Sequence, residues 1–106
     1  MQILRWNEIP KQQLDPLTTR QVIHGDAITI ARFEVRKGSL LPEHSHHNEQ
    51  FSTILSGAVR YRVGGEEMTL RAGDSVRIPP NVPHSAETLE DAVAIDTFSP
   101  PRDDWK

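Results

Sequence analysis

The sequence predicts an all-β fold, and three observations carry that prediction. From Gln21 onward, turn signals recur every eight to ten residues, with runs rich in Val, Ile, Thr and Phe between them. No stretch holds the apolar periodicity of an amphipathic helix, beyond room for a single turn in the tail. The eight prolines and six glycines are scattered between the runs as punctuation instead of being gathered in a low-complexity tract.

A chain of 106 residues has room for one core. At 36% hydrophobic that core is thin, so pairing into a homodimer is expected to help cover it. Residues 1–19 read as an irregular N-terminal segment anchored by Trp6 and Ile9, with Pro10 and Pro16 opposing a long helix. Residues 20–106 form the single domain. Val22–His24 runs into a Gly25-Asp26 hairpin turn and then Ala27–Val35. Gly38 closes that strand. His44–His47 is a short extended piece and Phe51–Leu55 a strand, and Gly57 is a turn or bulge before Val59–Val63. Gly64-Gly65 is the clearest hairpin signal in the chain and leads to Glu66–Leu70. Ala72-Gly73-Asp74 turns into Ser75–Ile78. The rigid Pro79-Pro80-Asn81-Val82-Pro83 loop then delivers His84 at the start of His84–Thr88. Leu89-Glu90-Asp91 turns into Ala92–Ser99, and Pro100-Pro101 ends the last strand.

Composition excludes several functions. Without cysteine there is no disulfide framework, thiolate metal site or thiol nucleophile. A formal charge of −3 with no basic cluster argues against nucleic acid as a partner. No apolar run approaches the ~20 residues that span a bilayer, and the first residues lack a signal peptide's apolar region. A soluble, cytoplasmic protein is the expectation.

Four residues suggest chemistry. His44 and His46 sit two apart, so in an extended segment both imidazoles face one side, and Gln50 falls on the same parity. His84 follows in Ile78-Pro-Pro-Asn-Val-Pro-His84. Three imidazoles and an amide on neighbouring strands suit a divalent metal site inside a small barrel. His24 and His47 read as solvated. Glu49 has the opposite parity and would replace Gln50 only if a bulge intervened. Imidazole ligands fit Zn, Cu, Fe or Ni, with Mn also open.

The spacing Gly38-x5-His44-x-His46-x3-Gln50-x6-Gly57 resembles the first cupin motif, and Gly73-x5-Pro79-x-Asn81-x2-His84 the second. The resemblance implies a double-stranded β-helix, the jelly-roll barrel, with a metal inside. Two positions depart from the pattern: Gln50 stands where Glu is usual and Asn81 where Gly is usual. Asn tolerates the left-handed backbone that Gly supplies. Gln50 leaves the ion's charge uncompensated by any protein ligand, which favours an anionic substrate and a developing enolate or alkoxide.

On the last strand, Ala94, Asp96 and Phe98 share one face and Val93, Ile95 and Thr97 the other. Asp96 has two readings, an outward solvated carboxylate or an inward general acid/base. Arg102 is either an exposed tail charge balanced by Asp103 and Asp104 or a bidentate clamp for a substrate carboxylate. The run Asp96-Thr-Phe-Ser-Pro-Pro-Arg102 resembles the ending of the KdgF-like cupins of pectin and alginate degradation. That resemblance implies a metal held by His44, His46, Gln50 and His84, with Asp96, Phe98 and Arg102 lining the site. It also implies linearisation of 4,5-unsaturated uronates. The short spacing from His46 to Gln50 is also similar to that of manganese-dependent hydroxynitrile lyase cupins. A quercetinase-like metal-dependent dioxygenase and a non-enzymatic small-molecule-binding cupin are the alternatives. Trp6 and Trp105 read as packing or dimer contacts, and one parity of Arg60-Tyr61-Arg62 faces the cavity.

Overall fold

In the computed structural model, which describes residues 1–106, eight antiparallel strands carry most of the chain. They are β1 (Gln12–Asp15), β2 (Thr18–His24), β3 (Thr29–Val35), β4 (Leu40–His44), β5 (Glu49–Val63), β6 (Glu66–Arg71), β7 (Ser75–Ile78) and β8 (His84–Ser99). Short 3-10 turns occupy Trp6–Glu8 and Asp103–Trp105. The hydrogen-bonded order is β1-β2-β3-β8-β5-β6, with β4 also on β8 and β7 also on β5.

Two strands are longer than expected. The sequence suggests a break at Gly57 and another at Leu89-Glu90-Asp91, yet β5 and β8 run through both places. Register slips between Ile54 and Val59 absorb the irregularity as bulges, which bend a strand without ending it. The first part of β5 therefore pairs with β7 and the second with β6, while β8 passes from β4 to β3. These two bent strands roll the sheet into a barrel. Gly57 (φ 82°) makes the bend possible, because a Cβ there would sit 2.7 Å from Ala92 Cα and strike the Asp91 carbonyl.

The segment 1–19, expected to be irregular, holds β1 and the first residues of β2. Pro16 does not stop a strand here; it sits in the turn between two of them. The Asp15 carboxylate accepts the Leu17 N–H at 2.8 Å, the side-chain turn that Asp favours. Every β1 residue is exposed, so no buried alternation marks the strand in the sequence. Trp6 and Ile9 do anchor the segment, partly through their carbonyls, which accept both N–H groups of Gln21 at 2.6 and 2.9 Å.

The interior is only partly apolar. Ile54, Val59, Tyr61, Leu70, Ala92 and Ala94 form the core cluster, but half of the 20 buried residues are polar, among them Gln50, Ser52, His84, Asp96 and Arg102. A barrel filled this way is a chamber as much as a core.

Gly57→Ala is expected to lower unfolding stability by at least about 3 kcal/mol, since it adds left-handed strain to a backbone overlap. Chemical denaturation of the two proteins measures the difference.

Candidate metal centre and its cavity

The three predicted histidines come together from two strand ends and a loop. It ends β4 and pairs directly with His84, the first residue of β8. His46 follows in the loop. That loop is tied to the proline-rich one by the Asn81 N–H, which donates to His46 O at 2.8 Å. Asn81 adopts the left-handed conformation (φ 65°) that its motif requires. The ring centroids of His44 and His84 are 4.2 Å apart and those of His46 and His84 4.9 Å, and ligand atoms of all three lie within 4.8 Å of one another.

One local device orients all three rings. Each Nδ1 lies beside a backbone carbonyl two residues away: His44 on Pro42 O (2.9 Å), His46 on Asn48 O (3.0 Å) and His84 on Val82 O (2.9 Å). A proton on each Nδ1 satisfies those carbonyls and leaves each Nε2 a bare lone pair, the tautomer a metal needs. His84 Nε2 is buried with no partner. Burial holds His46 and His84 below the usual histidine pKa, which keeps them neutral.

Gln50 completes the set. Its Nε2 donates to Ser52 Oγ (2.8 Å) and Asp96 Oδ2 (3.2 Å), which turns Oε1 toward His46 Nε2 at 3.0 Å. With the His46 proton on Nδ1, two lone pairs face each other across that distance. A cation between them resolves the repulsion, and ligand atoms ~2.1 Å from one ion sit about 3 Å apart when roughly 90° separates them. The donor set fits a divalent metal. Glu49 plays no part; it points outward and pairs with Arg77 at 2.7 Å.

Asp96 points inward, opposite Ser52 in the β5–β8 register. It is buried, Oδ1 has no partner, and burial pushes its pKa up to about 7 against the opposing pull of the Ser52 hydroxyl and the Arg102 charge. Phe98 is buried beside His46, ring centroids 5.7 Å apart. Arg102 is also buried, not an exposed tail charge: its backbone N–H donates to Thr29 Oγ1, and its guanidinium lies over Phe98 and Trp105 at 4.8 and 4.0 Å. One edge of that guanidinium is taken, with Nε and Nη2 donating to the exposed Asp104 carboxylate at 3.0 and 2.8 Å. His24 and His47 are exposed and do not join the cluster.

Three contributors escaped the sequence. Trp105 lines the cavity, packed edge-on to Phe33 and Phe98, and is not merely an end contact. Arg20 on β2 lies 4.2 Å over the same indole. Asn48, fully buried, accepts from His46 and donates to Pro100 O at 2.6 Å, which ties the first motif to the tail. No spacing signals these, because the tail doubles back after Pro101. Together the residues enclose a cavity of about 330 Å³, within the size range of small-molecule sites. His44, His84, Gln50, Asp96 and Arg102 give it polarity, while Val59, Ala86, Ala92 and Ala94 form a smooth apolar wall.

Residues 31–98 match the Cupin domain family. The chain belongs to that family. This cupin is 29% identical over 102 residues to the pectin degradation protein KdgF of Dickeya dadantii (strain 3937), covering 93% of each chain. Among solved structures it is similar to KdgF from Halomonas sp., with a TM-score of 0.89 and 29% identity over 94% of each chain. It is also similar to an RmlC-like cupin from Shewanella frigidimarina NCIMB 400, with a TM-score of 0.94 and 27% identity over 100% of this chain and 96% of that one.

Two outcomes are expected. Chelation should lower the melting temperature of metal-loaded protein, by the equivalent of about 3–4 kcal/mol if metal had been present at hundreds of times its Kd. In His84→Ala that chelator-dependent part should vanish, as differential scanning fluorimetry would report.

The second outcome concerns pH in the metal-free protein. Asp96 releases its proton near 3.8 when unfolded and near 7 when folded, so its contribution to stability falls as pH rises through that window. His46 and His84 act oppositely: the unfolded chain takes their protons first, so stability falls as pH drops below about 6.5. Metal-free Asp96→Asn should therefore exceed the parent in stability at pH 8, by up to about 4 kcal/mol, with the gain fading toward pH 4. Denaturation curves at the two pH values test this.

Proposed function

We propose that this cupin linearises a 4,5-unsaturated uronate, using a divalent metal held by His44, His46, His84 and Gln50. The observation that carries the reading is the buried Asp96 carboxyl beside an all-neutral ligand set, in a cavity that also holds an arginine. The likeness to two KdgF proteins over nearly the whole chain supports the same choice.

Ring opening of such a sugar is a proton rearrangement without net redox change. The C1 hydroxyl loses its proton, C1 becomes a carbonyl as the ring C1–O bond breaks, and the enolate left at C5 takes a proton at C4. An ion with neutral ligands supplies Lewis-acid stabilisation of that anionic oxygen. Asp96 has the burial and the proton affinity to take the first proton and return one. Phe98 forms the wall that keeps the ring against it, and Arg102 adds positive charge for the substrate carboxylate. The nearly neutral proton affinity of Asp96 matters because a carboxyl with an ordinary pKa would be a weak acid catalyst at pH 7. Exposed Leu14, Leu40 and Leu41 at the cavity rim agree with pairing of two copies.

The protein mixed with 4,5-unsaturated galacturonate should yield the ring-opened keto acid by NMR. The activity should be lost with a chelator and restored by added divalent metal. Asp96→Asn should cut turnover at least about a thousandfold while metal content stays at the parent level. Oxygen uptake with iron or copper and none with zinc would instead support a dioxygenase. Full turnover by Asp96→Asn would remove Asp96 from the mechanism.

A further inference from the structure

Two guanidinium groups share the Trp105 indole, Arg20 at 4.2 Å and Arg102 at 4.0 Å, and both line the cavity that His44 and His84 also line. They are differently engaged. Arg102 has given the Nε–Nη2 edge of its fork to Asp104. Arg20 donates only Nε, to the Gln12 side-chain oxygen at 3.0 Å, and its terminal N–H groups have no hydrogen-bond or ion-pair partner. Arg20 therefore keeps all four terminal N–H groups for an anion, while Arg102 keeps Nη1 and one N–H of Nη2.

The surroundings of Arg20 argue against simple solvation. It is half-buried, and burial followed by repulsion from Arg102 lowers its pKa from the ordinary arginine value. Asp104 is the acid that opposes this shift, and its carboxylate is already bonded to Arg102. Around the Trp105 indole, two cations thus share one exposed acid. The Trp105 ring beneath the Arg20 guanidinium carbon restricts the fork before any ligand arrives.

We propose that Arg20 is a substrate-binding residue of this cavity, the primary receptor for the ligand's carboxylate, with Arg102 as the fixed cation beside it. The inference rests on the uronate reading for its choice of ligand, but only on the cavity geometry for its choice of residue. Asp104 fixes Arg102 in place, Trp105 spaces the two forks, and Arg20 contributes the unsatisfied N–H donors.

D-galacturonate and its methyl ester are the probes, titrated into zinc-loaded protein and followed through the Trp105 indole N–H resonance. The wild type should bind the acid in preference to the ester. Arg20→Gln should lose at least about tenfold in affinity for the acid and change little toward the ester. Arg20→Lys keeps the charge and should retain most of the affinity. Acid binding within twofold of wild type in Arg20→Gln would overturn the proposal. So would equal loss in both variants, which would mark a packing role, or a wild type indifferent to acid and ester. Absence of turnover on unsaturated galacturonate, with acid binding still dependent on Arg20, would remove the linearisation reading and leave this one standing.

Discussion

Between Glu49 and Val63, β5 is held against β8 along almost its whole length, and the cavity inherits its geometry from that pairing. Gln50 lies opposite Phe98, Ser52 opposite Asp96, Tyr61 opposite Ala86 and Val63 opposite His84. A strand's side chains alternate faces, so a slip of one residue in β5 would send Gln50 and Ser52 to solvent together, and one in β8 would do the same to Asp96 and Phe98. The bulges around Gly57 confine the irregularity to the bend, leaving paired stretches on both sides in register. The other strands depend on this pair: β3 and β4 dock on β8, β6 and β7 on β5. One ladder thus fixes the barrel and sets the Gln50 amide, the buried acid and one imidazole at fixed separations.

Within that frame the polar groups are arranged by what each lacks. The imidazoles spend their protons on neighbouring carbonyls and turn lone pairs inward. Gln50 spends its amide hydrogens on Ser52 and Asp96 and turns its oxygen inward. Asp96 keeps one oxygen without a partner. Each arrangement costs something by itself, since buried lone pairs without donors are unfavourable. A cation among them would offset that cost. Burial raises the proton affinity of Asp96 and lowers that of His46 and His84, so low polarity favours the neutral form of both kinds of group.

Much of this was legible in the sequence, for identifiable reasons. Strand parity alone put Asp96 with Ala94 and Phe98, and all three are buried. The expected left-handed conformation at Asn81 follows from local backbone sterics, which a sequence carries openly. Parity likewise separates buried Gln50 from the outward Glu49. What escaped depends on tertiary return of the chain. β1 is exposed on every residue and leaves no pattern. The continuity of β5 and β8 through turn-like residues follows from their mutual pairing and not from propensity. Trp105 and Arg20 meet the site from distant segments, and Asn48 reaches from the first motif to the tail.

The apolar wall is built from side chains that end at Cβ. Ala86, Ala92 and Ala94 leave the chamber open by what they omit, and none of them bears a hydrogen bond from its side chain or carries charge. Replacing one with Val would subtract volume from about 330 Å³ without altering the ladder, the imidazoles or the acid. Ligand preference in this barrel is therefore tunable at positions with no chemistry of their own. A lineage of such proteins could exchange one ligand for another through a few methyl groups while the imidazoles and the acid stayed untouched.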